Sequence, residues 1–246
     1  MHPNYEPYWS NYLKQFDLDK SHFQNITRNT DKYCVIVEPR IDNMLILVIK
    51  NFMYLLQNKH YGLIIFHGTD NKEFLEKNLE GWNNIIYIDI NKNNLTIQEY
   101  NQLYCSSIFW KTLLNIGCKY ALTFEIDTVL LKDNIDDFLM YDYIGAPWCI
   151  KWLGCLEVGN SGLSLRNVNK MLEITSTCPL YNNMNNDIYL SYWCLQKKYN
   201  IPTIEIAKQF SVETIYYNDP CGMHKPHIDK FPNKQSYIDI LSKRYI

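Results

Sequence analysis

Residues Tyr120 to Lys132 read Y-A-L-T-F-E-I-D-T-V-L-L-K. The apolar run Tyr120 to Phe124 has the length and character of a buried strand. It ends in two carboxylates, Glu125 and Asp127, one residue apart. In an extended chain the side chains of residues i and i+2 point to the same side. Both acids can therefore face one point just past the strand's carboxyl end, the edge at which open α/β sheets bind ligands. Two oxygen donors aimed at one point suit a hard divalent cation carrying a phosphate. The same pair also fits a surface turn with two solvated acids.

Working outward, the preceding chain alternates. Cys34 to Val37, Gly62 to Phe66 and Ile85 to Ile90 are further apolar runs. Between them, Met44 to Leu56 and Asn71 to Leu79 have helical length. Thr96 to Ile116 reads as one long helical stretch, with Thr96 as its cap and Glu99 three residues on. Strand and helix in alternation predict an α/β protein built from βαβ units with a parallel sheet. No G-x-G-x-x-G or G-x-x-x-x-G-K-[ST] follows any of these strands, which argues against a standard dinucleotide fold or a P-loop. After Asp127 the alternation stops. Asp133 to Leu165 is rich in Asp, Gly, Trp and turn residues and reads as irregular, with a short strand at Leu163 to Leu165. Helical character returns at Val168 to Thr175 and Asp187 to Lys198. Residues 1–32 read as an N-terminal extension, with a short helix around Tyr8 to Phe16, packed on a single domain of residues 33–246.

Composition narrows the class. The chain has 246 residues, 47% hydrophobic and 20% charged, with a net charge of -2. That is an ordinary globular balance. No basic stripe marks a nucleic-acid binder. No apolar run reaches the roughly 18 residues of a membrane span. The N-terminus is polar and aromatic, unlike a secretory signal, so the expected location is cytoplasmic. The eight cysteines are scattered, as expected of reduced, mostly buried thiols.

Several further stretches carry chemistry. G-M-H-K-P-H offers His224, whose neutral imidazole can add a nitrogen ligand and tilt the choice of cation from Mg²⁺ toward Mn²⁺. Cys221, His224 and His227 also have zinc-like spacings, but a structural zinc site needs four ligands. Lys225 can meet a phosphate as a point charge or stand in solvent. In Y-D-Y-I-G-A-P-W, Asp142 and Trp148 flank a Gly-Ala-Pro turn. The acid can bind sugar hydroxyls and the indole can pack on a sugar face, or Trp148 can be core. In V-G-N-S-G-L-S-L-R, Gly159 and Gly162 permit close backbone approach, and Asn160 and Ser161 offer donors and acceptors. In N-N-D, Asp187 reads as a helix-start acid or as a general base for an acceptor hydroxyl.

The order of these pieces resembles the glycosyltransferases of the GT-A fold. It looks most like a family of uncharacterised domains classed as predicted glycosyltransferases. Shared elements are V-I-V-E-P-R (Val35 to Arg40), F-H-G (Phe66 to Gly68), F-W-K (Phe109 to Lys111), Y-D-Y-I-G-A-P-W, V-G-N-S-G-L-S-L-R, N-N-D, F-S-V-E (Phe210 to Glu213) and G-M-H-K. Two positions depart from the pattern: Glu125 stands where Asp is favoured, and Asn186 where an acid commonly precedes the aspartate. The resemblance implies a mixed sheet flanked by helices and a metal-dependent transfer from a nucleoside diphosphate sugar. The acceptor would be a hydroxyl of a glycan, protein or small molecule, and the outcome inversion. It implies Mn²⁺ or Mg²⁺ on Asp127, His224 and Glu125. It places Glu38, Arg40, His67, Gly68, Asp70 and Lys111 with Lys225 around the nucleotide. Asp142, Trp148, Gly159, Asn160, Ser161 and Gly162 would position the sugars. The alternatives are a non-catalytic sugar- or nucleotide-binding module and a nucleotidyltransferase making nucleotide sugars. Glu38-Pro39-Arg40 lacks the Gly-rich basic loop that the last would use.

Overall fold

The structure, a computed structural model, describes residues 6–17, 26–181, 184–226 and 228–242. His227, one of the three zinc-spaced residues, lies outside them.

Helix α1 (Glu6–Lys14) precedes the alternating half. That half runs β1 (Lys32–Val37), α2 (Asn43–Leu55), β2 (Gly62–His67), α3 (Lys72–Asn78), β3 (Ile86–Asp89), α4 (Ile97–Tyr104), α5 (Ser107–Ile116) and β4 (Tyr120–Phe124). The second half holds β5 (Thr128–Leu130), β6 (Tyr143–Trp152), β7 (Leu156–Asn167), α6 (Val168–Thr177), α7 (Asn186–Gln196), α8 (Ile204–Phe210), β8 (Ser211–Val212), β9 (Gly222–His224) and α9 (Lys234–Leu241). The main sheet has strand order β3-β2-β1-β4-β7-β6, and a small second sheet has order β5-β9-β8. β1 to β4 pair in parallel, while β7 runs antiparallel to both β4 and β6. This is an α/β fold: its parallel half is what the strand–helix alternation predicts, and its mixed sheet is what the resemblance implies.

β1, β2 and β4 are buried on both faces, which is why they read as continuous apolar runs rather than alternating ones. Cys34, Ile36, Leu63, Ile65, Leu122 and Phe124 face the layer of α1, α2 and α9. Val35, Val37, Ile64, Phe66 and Ala121 face the layer of α5, α6 and α7. Phe52 of α2 stacks on Phe124 with centroids 4.0 Å apart. The end of β4 therefore rests on a rigid support. Trp9, Tyr12, Leu13 and Phe16 join the first layer. α1 begins and ends about two residues earlier than the sequence suggests, because Leu13 and Lys14 accept the closing turn bonds from Phe16 and Asp17.

Two expectations need correction. Thr96 to Ile116 is two helices rather than one. Thr96 and Glu99 do form the reciprocal cap of α4, but Ser106 caps a new helix by accepting from the Ile108 amide. Asp133 to Leu165 is not irregular, since most of it forms the long β6–β7 hairpin. Its periodicity is broken because the register shifts between Gly145 and Ala146 and again on either side of Pro147. At the first shift, three extra residues of β7, Ser161 to Leu163, stand opposite none of β6. Bulges of this kind re-aim side chains at sheet edges.

Candidate functional site

β4 delivers Glu125 and Asp127 at the carboxyl end of the parallel strands. The Glu125 amide donates to Gly162 O at 3.0 Å, and Thr128 Oγ1 donates to the same carbonyl at 2.9 Å. The β7 bulge thus holds the acid turn. Thr128 then pairs with His224 across β5 and β9. Asn51 of α2 fixes β5 from behind: its side chain donates to Leu130 O and accepts from Leu130 N, while Tyr12 Oη also donates to that carbonyl.

The result is a cluster. His224 Nε2 lies 3.3 Å from Asp127 Oδ1 and 3.7 Å from Glu125 Oε2. One potential ligand atom from each of Glu125, Asp127 and His224 lies within 4.8 Å of the others. His224 is 8% exposed and Asp127 23%. Asp127 Oδ1 and both His224 ring nitrogens are buried without a hydrogen-bond partner. Burying such atoms unpartnered is costly, so the arrangement fits a cation. Two carboxylate oxygens and an imidazole nitrogen form a donor set for a metal ion. Burial raises the Asp127 pKa, but His224 and Lys225 outweigh it and bring the group to about 2. Burial likewise lowers the His224 pKa, and Asp127, Glu125 and Glu213 outweigh it, holding the imidazole well above its usual range. Asp127 is thus held ionised beside the ring. Cys221 belongs elsewhere, with its buried Sγ facing Lys132 O.

A cleft of about 720 Å³ opens over the acids, a size typical of small-ligand sites. Glu38, Arg40, Glu125, Asp127, Ser161, Asp187 and Lys225 all line it. Glu38 is buried and clamps Arg40 at two points, Nε at 2.8 Å and Nη2 at 2.7 Å. The Lys225 amide donates to Asp127 O at 3.0 Å, anchoring the tail strand to the acid turn. Asp187 sits in the first turn of α7, where its side chain accepts from the Ile188 amide. Burial raises its pKa to about 6 against the opposing pull of that bond and of Arg166. An acid near 6 that lines a cleft can act as a base at neutral pH.

Other expected residues lie apart from the cleft lining. His67 is buried, with Nδ1 2.7 Å from Gly68 O. Gly68 is enclosed by the Pro39 and Lys92 carbonyls. Asp70 is exposed and bonds Asn93. Lys111 is exposed on α5. Asp142 accepts from Asn167 and the Asn200 amide. It precedes Tyr143, which pairs with Arg166 and so lies level with the start of β4, at the sheet edge opposite the acids. Antiparallel strand direction puts it there. Trp148 is buried against Leu156 and Ile188. Gly159, at φ +135°, leaves room for Ser191 Oγ and accepts from Tyr143 Oη. Asn160 Oδ1 accepts from Gly162 N within the bulge. Gly162 borders His224 rather than the cleft: an added Cβ would lie 2.2 Å from the ring.

The sequence reading missed three residues. Tyr100 Oη donates to Glu125 Oε1 at 3.2 Å. Glu213 Oε1 lies 3.6 Å from His224 Nδ1. Arg166, fully buried, is boxed by the rings of Tyr104, Trp110 and Tyr143, and its Nη2 donates to Asn186 Oδ1 at 3.4 Å. Two of them had a local signal: Glu213 stands in F-S-V-E and Arg166 closes V-G-N-S-G-L-S-L-R.

Fold and site together define an α/β protein with an acid–histidine cluster under a ligand-sized cleft. The family described as "Protein of unknown function (DUF5672)" matches residues 84–224, and the chain belongs to it. The match ends at His224 and takes in Glu125, Asp127, Asp187 and Glu213. Among solved structures, the chain is similar to a "putative nucleotide-diphospho-sugar transferase" from Desulfovibrio desulfuricans G20. The two share 10% identity and a TM-score of 0.44 over 70% of this chain and 78% of the other. No curated protein matches the chain in sequence.

Proposed function

We propose that this protein is a metal-dependent glycosyltransferase that moves a sugar from a nucleoside diphosphate sugar to an acceptor hydroxyl. One observation carries the reading: Glu125 and Asp127, which converge with His224 within 4.8 Å, line a 720 Å³ cleft whose wall also presents Asp187. Asp127 and His224, with Glu125 beside them, would hold Mn²⁺ or Mg²⁺. The bound cation would neutralise charge on the departing diphosphate. Lys225 adds a point charge beside the same position. The Glu38–Arg40 clamp gives the nucleoside end a rigid polar wall, and Ser161 offers a hydroxyl to the sugar. Asp187 takes the proton of the acceptor hydroxyl as that oxygen attacks, so a single displacement inverts the anomeric carbon. The acceptor is a glycan, a protein or a small molecule.

The test is turnover. The chain is incubated with a panel of nucleoside diphosphate sugars, with Mn²⁺ or with a chelator, and release of nucleoside diphosphate is followed. Metal-dependent release from at least one donor supports the proposal. Metal-dependent binding without release would make the protein a non-catalytic sugar- or nucleotide-binding module instead.

A further inference from the structure

We propose that Glu213 is the positioning residue that fixes the orientation and tautomer of His224, so that Nε2 meets the cation as a free lone pair. The inference rests on the metal-site reading above and names the carboxylate that this site needs behind its histidine.

A neutral imidazole carries one N–H and one lone-pair nitrogen. A metal-binding histidine normally gives its N–H to a carboxylate, a carbonyl or water, and that bond selects the tautomer and holds the ring. The surroundings of His224 are sorted in this way. Asp127 and Glu125 both face Nε2, and Glu213 faces Nδ1 at 3.6 Å. Neither nitrogen has a hydrogen-bond partner among the described residues, and Glu213 is the group that stands nearest to bonding range of Nδ1 by ion-pair distance. Glu213 therefore sits on the far side of the ring from the acids, too far round to share their ion. Like His224 it lies beneath the cleft lining, and what it faces is the ring.

The backbone places it there. β8 and β9 run parallel, with Ser211 beside Gly222 and Val212 beside Met223. One step further in that register brings Glu213 alongside His224. The two side chains are equally buried, at 9% and 8%. A buried carboxylate is costly unless something offsets it. Among the described residues, His224 is the one basic side chain within 4.0 Å of Glu213. Gly162 closes the remaining side of the ring, so the imidazole is held between a carboxylate and a backbone turn.

The test is Mn²⁺ binding by the metal-free full chain, measured by calorimetry for wild type, Glu213→Gln, His224→Ala and the double variant. Loss of an outer partner weakens metal affinity by about 10–100-fold, and Glu213→Gln should fall in that range with the metal-free melting temperature little changed. The double variant should bind no more weakly than His224→Ala, since partners that act through one another do not add. Unchanged affinity in Glu213→Gln, or fully additive losses, would overturn the inference while leaving the metal site standing. Failure of the wild-type chain to bind Mn²⁺ would overturn both. Should Glu213→Gln not fold, long-range ¹H–¹⁵N spectra of the Mg²⁺-loaded wild type decide: the proton on Nδ1 supports the role, and on Nε2 contradicts it.

Discussion

Gly162 and His224 touch so closely that a Cβ on the glycine would lie 2.2 Å from the imidazole Nε2. The contact joins the β7 bulge to β9 and leaves the ring one resting place. Gly162→Ala should push the imidazole off the acids. We expect Mn²⁺ affinity to fall by at least about 10-fold, the scale on which disturbed metal-ligand geometry acts, with the far-ultraviolet circular dichroism unchanged. Titration calorimetry checks it.

Asp187 should set the acid limb of activity. Its pKa is raised to about 6, so the base form accumulates as pH rises through that value and transfer should rise with it. Asp187→Asn should lose about 10²–10⁴-fold in kcat, the usual range for a general base, while keeping metal-dependent donor binding. Stability carries the opposite sign. A carboxylate whose folded pKa exceeds its unfolded one favours folding fully below about 3.9, and that contribution is lost as pH passes about 6. Asp187→Asn should therefore melt higher than wild type at pH 8, with most of that gain gone at pH 4.

Arg166 lends Asp187 part of its negative character, since its charge opposes the upward shift. Arg166→Met fills the aromatic box without a charge. The acid limb of kcat/KM should move to higher pH in this variant, and an unmoved limb would mean that the arginine serves packing alone.

Asn51 stands in for a missing strand partner at Leu130. Asn51→Leu removes both bonds and leaves a buried amide unpaired, at a cost of about 1–3 kcal/mol. For a chain of this size that is roughly 2–12 °C in melting temperature, readable by thermal unfolding. Because Leu130 ends the strand that pairs with β9, Mn²⁺ affinity should weaken too.

The parallel half was legible because strands buried on both faces leave unbroken apolar runs, and because the Glu125–Asp127 pair closes one of them. His224 was legible as a donor, though not its route to the acids, which depends on the β5–β9 pairing across 96 positions from Thr128 to His224. Glu213 stood in the F-S-V-E block, but its nearness to His224 was illegible for the same reason, since it arises only once β8 lies beside β9. The places of Asp142 and Trp148 were not legible, because side-chain chemistry does not say which way a strand runs. β6 carries Asp142 to the opposite sheet edge and turns Trp148 under α7. Gly159 and Gly162 offered close approach to the backbone, and the side chains that use that space in the fold are those of Ser191 and His224.

The central claim is that Asp127 and His224 grip a diphosphate through a shared cation. The direct measurement is the melting temperature of wild type and Asp127→Asn with nucleoside diphosphates, with and without Mn²⁺. A ligand that binds only the folded chain raises the melting temperature by mass action. Wild type should show a rise that requires nucleotide and Mn²⁺ together, and Asp127→Asn should lose it. A rise that ignores Mn²⁺, or one that survives in the variant, would contradict the claim.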